Sequence, residues 1–132
     1  ESTLRIVDYK TGGNPKIPAN IEQLFTPSET RPNYIFQTFL YASIMCRQQT
    51  LKVAPALLYI HRAASDSYSP VIEMGEPRQP KIPVNNFTFF EDEFRKRLQT
   101  LLEEIFSENE PFTQTEDIKK CSYCDFKAIC KR

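Results

Sequence analysis

Two apolar runs of strand type, at residues 4–10 and 51–61, stand on either side of one long helical pattern at 33–49. This order constrains the fold more than any other feature of the chain. It reads as a β-α-β unit, whose crossover is right-handed if the two strands are parallel. The first run, Leu-Arg-Ile-Val-Asp-Tyr-Lys, ends at Thr11, Gly12 and Gly13. Successive strand side chains point to opposite faces, so Leu4, Ile6, Asp8 and Lys10 share one face while Arg5, Val7 and Tyr9 share the other. The expected fold class is α/β, a mixed β-sheet flanked by helices, with a Cys-rich C-terminal tail.

The helical pattern follows Pro32, with Asn33 in the N-cap position, and is apolar around most of its circumference, which predicts cover on two sides. Within it Gln37 and Tyr41 are four apart and share a face. Before it, residues 14–32 are polar and proline-punctuated, apart from Ile21, Leu24 and Phe25, which read as one helical turn. In the strand at 51–61, Pro55 cannot donate to a ladder and should mark the strand's start or an irregular edge. Residues 68–74 read as a further strand pairing back as a hairpin. Thr88 and Glu91 have the spacing of a capping box, and Phe90, Phe94, Leu98, Leu101, Leu102, Ile105 and Phe106 recur at helical spacing to about Glu108. That stripe is read as core packing.

A length of 132 residues fits one domain. Along it, 1–62 hold the first strand, the Gln37 helix and the following strand, 63–86 a proline-rich loop or hairpin, 87–108 the amphipathic helix, and 109–132 the cysteine tail. Seventeen basic and seventeen acidic residues give zero net charge, so attraction to nucleic acid or an anionic membrane must come from a local patch. No apolar stretch approaches the roughly 20 residues of a membrane helix, and no leader pattern opens the chain, which reads as cytoplasmic. The absence of an initiator methionine and the strand beginning at Leu4 lead to the expectation that the chain is a piece of a longer protein.

Asp8 and Lys10 admit two readings. One is an ion pair at a solvated strand end, which contributes little. The other is a hydrolytic site, where the carboxylate holds a divalent cation and the lysine stands beside the attacking water or the developing charge. In the tail, Cys121, Cys124 and Cys130 have C-x2-C-x5-C spacing, which in a cytosolic chain reads as metal or iron–sulfur ligation before disulfides. Three thiolates fall one short of the four that a tetrahedral zinc or an iron–sulfur cluster takes. Cys46, in an apolar helix setting, is read as a small buried hydrophobe, and the fourth ligand is expected upstream of residue 1. Lys119, Lys120, Lys127, Lys131 and Arg132 outnumber Asp125 around the tail, a small basic patch that could follow a phosphate backbone, although lysines near a terminus are usually just solvated. His61, the only histidine, ends a strand with nothing paired to it and is left out of the site.

Val-Asp-Tyr-Lys-Thr-Gly, a following helix with Gln-x-x-x-Tyr, and a terminal Cys-x2-Cys-x5-Cys, in that order, resemble the RecB-like branch of the PD-(D/E)xK nuclease superfamily, most closely the iron–sulfur nucleases at the C-terminus of AddB-type helicase–nuclease subunits. The resemblance implies a DNA nuclease, exonuclease-like, of repair and recombination, using Mg2+ or Mn2+. Asp8 would be a metal-binding carboxylate, Lys10 the catalytic lysine and the Tyr9 carbonyl a further metal ligand. Gln37 and Tyr41 would place the DNA strand. Cys121, Cys124 and Cys130 would be three of the four ligands of a 4Fe-4S cluster that staples the tail. The implied partners are DNA and a helicase or helicase–nuclease subunit, with no membrane.

The family's upstream acidic ligand, histidine and first cysteine would fall before Glu1. The isolated chain is therefore expected to be inactive while the full-length protein cuts DNA. Two other readings stand beside this one: a catalytically silent relative kept as a DNA-binding or scaffolding module, and a zinc-stapled interaction domain in which Asp8 and Lys10 are an ordinary pair.

Overall fold

The computed structural model describes residues 2–132, which divide into two compact units, one ending at Leu102 and one running from Glu103 to Arg132. The first unit is built on two parallel strands, β1 (Thr3–Lys10) and β2 (Lys52–Tyr59), paired in a register that sets Asp8 opposite Leu57 and Lys10 opposite Tyr59. Between them run α1 (Glu22–Phe25) and α2 (Asn33–Gln48). The predicted β-α-β order is thus present, with parallel strands joined through α2.

β2 is the inner strand. Val53, Ala54, Pro55, Ala56, Leu57 and Tyr59 are all buried, as expected of a parallel strand covered on both faces. Its far edge is occupied by irregular chain: Phe87 N–H donates to the Val53 carbonyl (2.7 Å), and Leu57 N–H donates to the Pro70 carbonyl (2.8 Å). Those bonds correct the expectation for Pro55, which lies inside the strand opposite Ile6. Backbone polar groups alternate sides along a strand, so Pro55, in step with Val53 and Leu57, turns its nitrogen to the far edge. The ladder to β1 therefore loses no donor.

The hairpin expected at 68–74 is much reduced. Val71 makes a single antiparallel bridge to Ala56, and β3 (Glu73–Met74) pairs with β4 (Ile82–Pro83) over two residues each. Gly75 beyond β3 has φ +150°, and a Cβ there would stand 3.1 Å from the Pro80 carbonyl oxygen. Glycine is required at this turn.

Two capping expectations also change. Pro32 occupies the cap position of α2 and Asn33 is already helical, its side-chain oxygen accepting from Arg31 Nε at 2.7 Å. At α3 (Thr88–Ile105) the side-chain oxygen of Asn86 accepts from Thr88 N–H (3.2 Å) and Thr88 Oγ1 (2.8 Å), while Glu91 Oε1 is buried without a partner. Asn86 stabilises the helix start that the Thr88–Glu91 spacing suggested, and Glu91 does not close a box. The helix ends at Ile105, short of Glu108.

Its apolar stripe packs on the core from Phe90 to Leu98 and leaves it towards the C-terminal end. Phe94 is fully buried, Phe90 and Leu98 pack on the core, and Leu102, Ile105 and Phe106 are exposed. The centre of the core is aromatic: Phe94 meets Phe25, Phe36, Phe39 and Phe87 with ring centroids 5.3, 5.6, 6.1 and 5.9 Å away, in tilted or edge-on arrangements. The helical turn around Ile21, Leu24 and Phe25 is confirmed as α1, with Ile21 and Leu24 buried. Among the described residues no helix is long and apolar enough to cross a membrane.

The second unit contains α4 (Ile118–Ser122) and no buried residue. Hydrogen bonds from Gln114 Nε2 to the Cys130 carbonyl (3.1 Å) and from Arg132 Nε to Gln114 Oε1 (3.0 Å) close it on itself.

Because Phe94 joins four other rings, Phe94→Ala should lower the unfolding free energy by about 3–5 kcal/mol. Phe106→Ala, at an exposed position on the same stripe, should change it by less than about 0.5 kcal/mol. Urea denaturation of both variants checks the contrast.

Candidate active site

β1 delivers Asp8 and Lys10 to the face covered by α2, while its third charged residue, Arg5, lies on the exposed face. Leu4, Ile6, Asp8 and Lys10 are partly buried, whereas Thr3, Arg5 and Tyr9 are exposed, so the alternation expected from sequence holds except at the partly covered Val7. Side-chain exposure at Lys10 and Asp8 is only 14% and 17%, which removes the pair from the class of solvated surface ion pairs.

Lys10 is held from three directions. Its Nζ stands 2.8 Å from Asp8 Oδ2 and donates to Gln37 Oε1 at 2.8 Å, and it lies 4.4 Å from the centroid of the Tyr34 ring. An ammonium has three N–H donors and a favourable interaction with an aromatic face, so these contacts fix the charge in place. Gln37 is fixed in turn. Since its oxygen accepts from Lys10, its amide nitrogen is the donor to Tyr41 OH at 2.7 Å. With its oxygen accepting that bond, the Tyr41 hydroxyl keeps its own hydrogen to donate outward, and the residue is 40% exposed. The relay from Asp8 through Lys10 and Gln37 to Tyr41 thus ends in an oriented donor open to solvent.

Two members of the site escaped the sequence reading. Thr38, fully buried, donates to the Tyr34 carbonyl at 2.8 Å and approaches Asp8 Oδ2 at 3.4 Å, so its single hydrogen serves the carbonyl first. Tyr34 supplies the ring under Lys10. The signal that could have found both was helical spacing, since Tyr34, Thr38 and Tyr41 fall on one stripe with Gln37 beside it.

Tyr59, opposite Lys10 in the ladder, has its hydroxyl pushed above its ordinary pKa by burial, then by the neighbouring Tyr68 and Tyr34 hydroxyls and the Asp8 charge, against a smaller lowering by Arg62. It is a neutral neighbour of the site. His61 lies just beyond, its ring 6.1 Å from that of Tyr59 and outside the Lys10 relay.

The oxygen donors at Asp8 and the Tyr9 carbonyl are of the class that a hard cation takes, but they are few. Among the described residues no group of three or more His, Cys, Asp or Glu side chains converges to hold a metal ion. The same holds for the tail: Cys121, Cys124 and Cys130 are free, partly covered thiols that do not gather into a ligand set. As they stand, these residues do not form a 4Fe-4S site.

The family model of the PD-(D/E)XK nuclease superfamily matches residues 1–131. The chain belongs to this superfamily. No curated protein and no solved structure matches it. Members of the PD-(D/E)XK superfamily are typically nucleases acting on DNA, commonly with Mg2+ or Mn2+.

Cys46 stands apart from all of this. Burial first, and then the Glu91 charge, push its thiol above the ordinary pKa. A raised pKa leaves less thiolate at any given pH, and the thiolate is the reactive form. Iodoacetamide labelling at pH 8, read by peptide mass spectrometry, should therefore modify Cys121, Cys124 and Cys130 well before Cys46. Faster labelling of Cys46 would show that burial does not control it.

Proposed function

We propose that this domain belongs to a metal-dependent DNA nuclease that hydrolyses phosphodiester bonds, exonuclease-like, in repair or recombination, close to the RecB-like nucleases of AddB-type subunits. The observation that carries the reading is the immobilised Lys10, with Asp8 on one side and the Gln37–Tyr41 relay on the other. Asp8 and the Tyr9 carbonyl would hold the cation, together with oxygens these residues do not supply. A bound divalent cation polarises the phosphate and lowers the pKa of a water.

The chain's own residues do the rest. Lys10 places a fixed positive charge where the phosphorane develops negative charge, in a site from which water is largely excluded. Gln37 keeps Lys10 from swinging away. Tyr41 donates its hydroxyl hydrogen to a phosphate oxygen of the bound strand. Thr38 and the Tyr34 ring fix the positions of Asp8 and Lys10 from below.

A nuclease assay on linear DNA with Mg2+ or Mn2+, run on the full-length protein, tests this. Lys10→Ala and Asp8→Ala should each lower kcat by about 100-fold or more, the size expected when one charge-stabilising group is lost. Tyr41→Phe should cost less and act mainly on KM. Full activity in Lys10→Ala would refute the assignment. Residues 1–132 alone, with one carboxylate at the site, should not cleave. Lys10-dependent cleavage by this chain would overturn that statement.

The cysteine tail favours a metal staple within the same reading. The unit from Glu103 to Arg132 buries nothing, and chains below about 40 residues usually need disulfides, a metal or oligomerisation to hold a fold. Cys121, Cys124 and Cys130 would be its thiolate ligands, in a cluster completed by a further residue. Iron and acid-labile sulfide in protein purified without oxygen should accompany the intact tail and be lost on Cys124→Ser. Zinc without iron would point instead to a zinc-stapled domain.

A further inference from the structure

Beyond the catalytic relay, the first unit has a cleft that the nuclease reading leaves unused. It consists of two adjoining cavities of about 400 and 260 Å3, which share Lys16, Ile35 and Tyr59 as walls. Arg31 and Tyr34 line the smaller one, and His61, Arg62 and Ser67 the larger. We propose that this cleft carries the backbone of single-stranded DNA, with Lys16, Arg31 and Arg62 binding phosphates of the strand that runs to Asp8 and Lys10. The proposal rests on the nuclease reading and extends it to a strand-binding channel.

The cleft adjoins the site through one ring. Tyr34, which walls the smaller cavity, is the ring beneath the Lys10 ammonium at 4.4 Å. The loop after β1 closes directly on that ring. Gly13 has φ +80°, and a Cβ there would stand 3.0 Å from Tyr34 Cε2, so both the backbone and the approach require glycine.

The three cations are positioned by neutral groups. Lys16 Nζ donates to the Thr30 and Arg31 carbonyls at 2.9 and 3.3 Å, Arg31 Nε to Asn33 Oδ1 at 2.7 Å, and Arg62 Nη2 to Asn14 Oδ1 at 3.0 Å. Each keeps donors to spare, and these contacts orient the charge without cancelling it. In a chain of zero net charge, three cations lining one concave surface form the kind of local patch that attracts a polyanion. Glu73 is the one carboxylate among the described lining residues.

The cleft suits one strand better than a duplex. Its cavities have the size of small-ligand sites, and Tyr34 is 40% exposed, which offers an aromatic surface for an unpaired base.

Fluorescence anisotropy of a labelled fifteen-residue oligothymidylate, in EDTA so that nothing is cleaved, tests the proposal on the full-length protein across a salt series. Lys16→Ala/Arg62→Ala should weaken binding about tenfold and flatten the log–log salt dependence by about 1.4, from roughly 0.7 for each lost single-strand phosphate contact. Ser67→Glu, which adds repulsion at an exposed position and removes no cation, should weaken it similarly while the melting curve is unchanged. Binding of a duplex of the same length should change less than twofold. Wild-type protein that does not bind the oligonucleotide, variants that bind within twofold of wild type, or equal losses on duplex and single strand would each overturn the proposal. The effect of Lys10→Ala on cleavage decides the nuclease reading separately, so failure of one is not confused with failure of the other.

Discussion

The pairing of β1 with β2 is the constraint on which the rest depends. β2 is buried on both faces, so it cannot slip without exposing Val53, Leu57 and Tyr59, and through the ladder it holds β1 in one register. A slip of one residue in β1 would turn Asp8 and Lys10 to the opposite face and bring Tyr9 inward. The register is set by apolar burial along β2, and the placement of the charged pair is its consequence. α2 then lies over the chosen face, with Phe39 sunk in the core while Gln37 and Thr38 meet the charged pair.

That arrangement is what the chemistry proposed for the site would use. A lysine at a solvent-exposed strand end would retain about 2 kcal/mol of side-chain entropy and wander. Here the ammonium is bound to a carboxylate, an amide and a ring, all from backbone elements that the core fixes. In the nuclease proposed above, a preorganised charge of this kind would need little rearrangement when a phosphate arrives, and such electrostatic stabilisation is usually the largest single contribution to catalysis.

Much of this was legible in the sequence, and what was not has physical reasons. The alternation in residues 4–10 and the spacing of Gln37 and Tyr41 are periodic signals, and periodicity survives folding because each strand or helix has only one way to present a face. Pro55 misled because propensity treats a proline as a strand breaker, whereas its effect depends on which edge its nitrogen faces, and that is a tertiary fact. Asn33 and Thr88 misled in a related way: each has cap chemistry, but Pro32 and Asn86 one or two residues earlier decide where the helices start. Thr38 and Tyr34 share the helical stripe of Gln37 and Tyr41, but spacing alone does not say which polar groups on that stripe will touch a strand from elsewhere in the chain.

The two units are stabilised by different physics. In the first, interlocked aromatic rings exclude water, and single hydrogen bonds are refinements upon that core. In the second, Phe106, Phe112, Tyr123, Phe126 and Ile129 are exposed, and the partly covered residues are Ser107, Asp117 and the three cysteines. Hydrogen bonds of about 1 kcal/mol each do not offset the backbone entropy of a segment that long. Packing within the unit therefore cannot be what orders it. Cys121, Cys124 and Cys130 are among its few partly covered residues, the placement that the metal staple proposed above would use.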